Sequence, residues 1–213
     1  LDDLQRPQLC NAPLAELRRQ LEPTQHFEWI AARHPWRGCS STNLKRELKA
    51  LTALAAPAAQ LRLLFTTPLV GPAAAALSLL NRPLSPGPAI NEAQRETLQA
   101  VAALEPGWLA NDQEPMAVAS LLEAQGWRVE TDSWEEELEL PLSPALLQRW
   151  FAPGAPYRRQ LEQQRGDATT RDVQRLLQNL EGQRLPQRLQ HRLLLGRLSD
   201  SHAKAPDQPG QEG

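Results

Sequence analysis

What the sequence lacks is the first guide to it. Cysteine occurs twice in 213 residues, as Cys10 and Cys39, with no CxxC spacing. A secreted domain of this size would carry more, so a disulfide framework is excluded and a reducing, cytoplasmic setting is expected. Each thiol reads as a small buried hydrophobe. Aromatic residues make up 5% of the chain, and six of the ten are Trp. The core must therefore be built mostly from Leu and Ala, which favours helix packing over a β-sandwich. Neither sign of charge dominates, since 23 basic against 25 acidic residues leave a net charge of −2. A free-standing nucleic-acid binder has a clear basic excess, so only a local basic face could serve that role. Long apolar runs are also missing. The longest, Pro68 to Leu80, contains Gly71 and Pro72 and is too short to span a bilayer, and no signal peptide is visible.

Most catalytic signatures are absent as well. No GxxxxGK followed by Ser or Thr occurs, so the chain has no phosphate loop of its own. His26, His34, His191 and His202 are not spaced as metal ligands, and no HExxH or cysteine cluster accompanies them. Ser40 and Ser41 follow Gly38 and Cys39, but GCSS is not a GxSxG nucleophile elbow. The acidic run Glu135–Glu137 with Glu139 reads as a charged strand edge that discourages aggregation, because alternate strand residues point to opposite faces.

What is present is an alternation of strand-like and helix-like segments. Arg6–Asn11 resembles a strand end, and Pro13 opens a helix to Leu21. His26–Ala32 is a compact apolar run with Phe27, Trp29 and Ile30, read as a buried strand. Asn43 is a suitable N-cap for a helix from Leu44 to Ala56, with Leu44, Leu48, Leu51 and Leu54 at helical spacing. Gln60–Thr66 is the best central-strand candidate. Gly71 and Pro72 turn the chain into a helix over Ala73–Leu80, and Asn81–Ala89 reads as a loop. Helices follow over Asn91–Leu104 and from Pro115 to a terminating Gly126. Trp127, Val129 and Thr131 then alternate as a strand, and Glu137–Leu140 is expected to pair with it as an antiparallel hairpin. Ser143-Pro144 caps a helix ending at Trp150-Phe151. Two or three polar-faced helices are expected to fill Tyr157–Leu198, and Ser199–Gly213 has no apolar periodicity and reads as disordered.

This order predicts an α/β fold with a mainly parallel sheet and right-handed crossovers, ending in an antiparallel pair and followed by a helical extension. The expected boundaries are 1–142 for the α/β domain, 143–198 for the helices and 199–213 for the tail. Sheets of class I, Rossmann-like S-adenosylmethionine methyltransferases finish with such a pair. Three segments resemble that fold: Phe27–His34 its fourth strand, Gln60–Ala75 its fifth, and Leu121–Val129 the junction of its last helix and following strand. The series Leu138–Phe151 and Ala152–Leu161 more specifically resembles the methyltransferase-like region fused behind cyanobacterial RarA-type AAA+ ATPases (replication-associated recombination proteins).

The resemblance implies an accessory module of an ATPase acting in DNA replication, recombination or repair, whose partners would be an upstream AAA+ domain or an N-terminal half of the fold. The chain opens at Leu1 without Met, as part of a longer protein would. A class I methyltransferase holds S-adenosylmethionine at a glycine-rich turn after its first strand. The eleven glycines here never stand two residues apart. No cofactor is therefore expected for this chain, although S-adenosylmethionine remains possible in a longer parent, and methyl transfer by the chain alone is not expected. The alternative is the C-terminal half of an active S-adenosylmethionine-dependent methyltransferase. Three residues could still touch the cofactor. Asn11 falls where such folds place a contact to adenine, though it would equally cap the helix at Pro13. Arg33 and His34 follow a strand at the sheet's carboxyl edge, where open α/β sheets bind ligands, though both would equally suit a solvated loop.

Two binding surfaces are also legible. Trp127, Trp134, Trp150, Phe151 and Tyr157 suggest either a cluster pinning the tail to the sheet or a docking patch. Arg158, Arg159, Arg165, Arg171, Arg175, Arg184, Arg188, Arg192 and Arg197 give the C-terminal helices a basic face. It could contact DNA phosphates or merely keep the surface solvated. No membrane association is expected.

Overall fold

A computed structural model describes residues 12–22, 24–36, 40–82, 90–109 and 113–199. Asn11, Cys10, Cys39, the segment Arg6–Asn11 and residues 200–213 lie outside the described residues, as does most of the expected loop before Ala89.

Helix α1 (Leu14–Gln20) leads to β1 (Phe27–Arg33), α2 (Ser41–Leu54) and β2 (Ala55–Pro68). The four leucines at helical spacing on α2 are all buried. The cap is Ser40, whose hydroxyl accepts the Asn43 N–H, so Asn43 lies inside the first turn and does not cap it. Helices α3 (Pro72–Leu80), α4 (Glu92–Ala102), α5 (Glu105–Leu109) and α6 (Gln113–Glu123) follow. Asn91 caps α4 in a reciprocal capping box with Gln94. Then come β3 (Trp127–Pro141), α7 (Pro144–Phe151), α8 (Pro156–Gln178, broken at Gly166) and β4 (Arg184–Leu198).

Three expectations are corrected here. Glu137–Leu140 is not a partner strand but the second half of β3. The run Arg184–Leu198 is not helical; it is the strand that pairs with β3. The 143–198 segment is therefore two helices and a strand. Finally, β1 is not a buried strand, because Trp29 is 56% exposed.

The strand order is β1-β2-β4-β3. Strands β1 and β2 are parallel, with Ile30 opposite Leu61 and Arg33 opposite Leu64. Direction along β4 follows from its ties. The Leu69 N–H donates to the Arg188 carbonyl, whereas Gly196 abuts Leu61, so β4 runs against β2. The Ser199 N–H donates to the Gly126 carbonyl and the Leu142 N–H to the Gln183 carbonyl, so β4 also runs against β3. The sheet is mixed, and its last strand in sequence is inserted between two earlier ones.

The chain divides into two compact units, residues 1–65, 113–132 and 192–213 in the first, 66–112 and 133–191 in the second. In the first unit, Leu44, Leu48 and Leu51 of α2 pack with Leu61, Leu63 and Phe65 of β2, Val118 and Leu122 of α6, and Trp127. Each such leucine, fully buried, contributes about 1.5–3 kcal/mol. The Trp127 indole N–H donates to Thr52 Oγ1 at 2.9 Å, and that hydroxyl lies 2.9 Å from Gln125 Oε1. In the second unit, Ala73, Ala75 and Ala76 of α3 are fully buried, and these small side chains let α4 and α8 approach closely through Leu98, Val101, Leu161, Val173 and Leu177.

Candidate functional site

At the carboxyl end of β1, in the first unit, the backbone turns sharply. The His34 N–H donates to the Leu64 carbonyl at 3.0 Å, and His34 adopts φ +49°. That left-handed conformation is uncommon for a side-chain-bearing residue, and His tolerates it better than most. The ring stands edge-on to Phe65, with centroids 6.4 Å apart. Arg33, one residue earlier, is exposed. Two of the three expected site residues thus sit together at the strand end.

The sheet has two different faces in this unit. Leu61, Leu63, Phe65 and Leu194 point into the helices. Strand alternation puts Trp29, Arg33, Arg62, Arg128, Leu195 and Arg197 on the other face. Trp29 and the four arginines are exposed there, and Leu195 is half-buried. The Arg62 guanidinium lies over the Trp29 ring, 5.1 Å from its centroid. An exposed aromatic under one guanidinium group, on a face that carries three more, suits contact with a partner or with stacked, phosphate-bearing bases.

The second unit carries two polar constellations. The first is a hydrogen-bonded row across three strands, in which Glu136 Oε2 lies 3.0 Å from His191 Nε2 and His191 Nδ1 lies 3.1 Å from Thr66 Oγ1. Trp134 stacks on the imidazole, with centroids 5.1 Å apart and planes 16° from parallel. The hydroxyl–imidazole–carboxylate order has the form of an acyl-transfer relay. However, Thr66 and His191 are buried and the indole covers the ring, so the row ties strands together and presents no accessible nucleophile.

The second constellation surrounds Glu105, only 1% exposed. Its carboxylate accepts the N–H groups of Ala73 and Ala74 at 2.8 and 2.9 Å, at the first turn of α3, and the Tyr157 hydroxyl at 2.7 Å. Gly71 is required there, because a Cβ would fall inside the carboxylate. Burial raises the Glu105 pKa above the ordinary carboxylate range, more than the three donors lower it. Burial likewise pushes the Tyr157 phenol well up, reinforced by the neighbouring Glu105 charge. This is a buried cap that also pins Tyr157, itself edge-on to Trp108 and Phe151.

The arginines expected on C-terminal helices are divided. Those of α8 largely have partners: Arg158 binds Glu162 at 2.5 Å and the Phe151 carbonyl, and Arg175 faces Asp172. Arg184, Arg188, Arg192 and Arg197 lie on β4, where Arg188 binds Glu135 at 2.6 Å. Among the described residues no group of three or more metal-ligating side chains occurs, and no helix is long and apolar enough to cross a membrane.

The architecture is α/β, with the parallel pair β1-β2 followed by two antiparallel strands. No protein-family model matches the chain, and no curated protein matches it. Among solved structures, a Haemonchus contortus phosphoethanolamine N-methyltransferase 2, in complex with phosphomonomethylethanolamine and S-adenosylhomocysteine, aligns at 10% identity and a TM-score of 0.30, covering 81% of this chain and 33% of its own. A Galdieria sulphuraria protein assigned as a sarcosine dimethylglycine methyltransferase aligns at 12% identity and a TM-score of 0.33, covering 89% of this chain and 58% of its own. The chain thus spans a third of one and somewhat over half of the other.

Proposed function

We propose that the chain serves as an accessory module, with no methyl transfer of its own, of a RarA-type AAA+ ATPase acting in DNA replication, recombination or repair. The observation that carries the accessory reading is the exposed sheet face of the first unit, where Arg62 lies over the Trp29 ring and Arg33, Arg128 and Arg197 are exposed on the same face. Such a face offers contact area and positive charge to a partner or to nucleic-acid phosphates. The sequence supports the absence of transfer, since its glycines form no cofactor turn. The tie to an ATPase rests on the resemblance over Leu138–Leu161.

Calorimetric titration tests the catalytic half of this reading. S-adenosylmethionine is titrated into the chain alone and into the ATPase-containing parent, and no heat of binding is expected from either. Binding by the parent alone would favour the C-terminal half of an active methyltransferase. Association is tested separately by adding the chain to an isolated RarA-type ATPase and measuring the complex by surface plasmon resonance. A saturable response that falls at least tenfold in an Arg62→Glu/Arg197→Glu variant is expected, and no response would overturn the proposal.

A further inference from the structure

We propose that the first unit binds a nucleotide-sized organic phosphate in a pocket at the amino ends of β1 and β2, the sheet edge opposite Arg33 and His34. The pocket is an open depression of about 810 Å³, within the range of small-molecule sites. Its polar lining comes from five side chains: His26, Lys45, Lys49, Thr52 and Gln125. Lys45 and Lys49 stand one turn apart on α2, on the stripe that continues to Thr52, while the adjacent stripe of leucines, about 100° round the helix, is buried. Among the described residues no carboxylate lines the pocket. Glu47, between the two lysines in sequence, is engaged elsewhere and accepts the Leu14 N–H at 3.1 Å. His26 Nδ1 donates to the Thr24 carbonyl at 2.9 Å, which fixes the ring at the pocket wall. Two ammonium groups on flexible stems suit a phosphate, which they meet as point charges.

The far end of the pocket asks for something different. It is lined at the carboxyl ends of α2 and α6, by Ala53 on one side and Ala124 and Gln125 on the other. Helix carboxyl ends present partial negative charge, and Gln125 adds a side-chain amide whose Oε1 already accepts the Thr52 hydroxyl. Phosphate is disfavoured there and N–H donors are favoured. The wall also has apolar members, Pro57 and Leu121. The occupant therefore carries a phosphate, a flat or apolar part, and N–H donors.

The backbone is distorted beside this wall. Between Phe27 and Trp29 the partner positions on β2 jump from Ala55 to Gln60, and Ala58 inside the bulge has φ +58°. A left-handed alanine is strained by about 1–2 kcal/mol, and strained residues and bulges gather at functional sites.

The wall also contains its own reporter. The Trp127 indole donates to Thr52 Oγ1, which reaches Gln125 Oε1, so a ligand drawing on Gln125 perturbs Trp127. The test titrates adenosine monophosphate, phenyl phosphate and inorganic phosphate into the chain while tryptophan emission is followed. Adenosine monophosphate is expected to give a saturable change, at least fivefold tighter than phenyl phosphate and tighter still than inorganic phosphate. Lys45→Ala/Lys49→Ala, at two exposed positions, should weaken binding at least tenfold with an unchanged far-ultraviolet spectrum. Gln125→Leu should reduce adenosine monophosphate to the phenyl phosphate level. No saturable change, or unchanged affinity in the lysine variant, would overturn the proposal. Equal affinity for adenosine monophosphate and phenyl phosphate would overturn the assignment of donors to the far end.

Discussion

Glu105 shows what a single residue contributes that sequence reading missed. Glu-Pro-Gly-Trp offers no periodic signal, and the partners of its carboxylate lie 31, 32 and 52 positions away, so only the fold reveals the cap. Arg33 and His34, by contrast, were legible as a pair, because a strand end fixes neighbouring residues at one edge. Glu105→Ala would strand two amide N–H groups and a hydroxyl, costing about 3 kcal/mol or more in urea unfolding. The pH dependence has a definite sign. With its folded-state pKa raised, Glu105 contributes stability that is fully present below the unfolded value, about 4.3, and is lost as pH rises through the folded value. Urea midpoints from pH 4 to 8 should show the wild-type advantage over Glu105→Gln shrinking as pH rises, and a growing advantage would contradict it. Ala58→Gly should be neutral or stabilising by up to about 1 kcal/mol despite the flexibility it adds, because it relieves a left-handed alanine; Ala58→Val should destabilise.

At the scale of elements, the reading succeeded where local pattern and tertiary demand agreed. The buried leucines of α2, the Ser143 cap of α7 and the Gly126 turn were all visible in sequence. It failed at β4 because Leu185, Leu189 and Leu193 recur every fourth residue among helix-favouring Gln and Arg. Pairing to strands on both sides overrides that propensity, as strand formation depends on neighbours more than on intrinsic preference. The same context hid the continuity of β3, whose exposed acids resemble a loop. Gly196 is closely packed, since a Cβ would lie 3.1 Å from Leu61 Cβ and 3.2 Å from Trp127 Cε3. Gly196→Val should therefore cost about 1–3 kcal/mol by overpacking, measured as a lowered urea midpoint. Thr52→Val should cost about 1–2 kcal/mol by leaving the Trp127 N–H without its acceptor, accompanied by a shift in tryptophan emission.

For the whole molecule, average charge proved a poor guide to where charge is usable. The chain is nearly neutral, yet arginines collect on one exposed sheet face while many on α8 are matched by local acids or carbonyls. If single-stranded DNA is a partner, affinity should fall with added salt on a logarithmic slope of about −0.7 per phosphate contact. Arg33→Glu/Arg197→Glu should flatten that slope, and Arg158→Glu/Arg175→Glu should leave it unchanged; the reverse pattern would place contact on the helix. The insertion of β4 has a further consequence, one of timing. During synthesis β2 and β3 emerge from the ribosome well before residues 184–198 exist, and neither can pair with the other in the finished order. Their inner edges wait unprotected for the final strand, and the Thr66–His191 contact closes a separation of 125 residues. Such distant closure is slow, and unpaired edges are prone to stick to one another. A nascent chain halted near residue 180 should therefore need a chaperone to stay dispersed, whereas release of the next twenty residues should free it from that dependence.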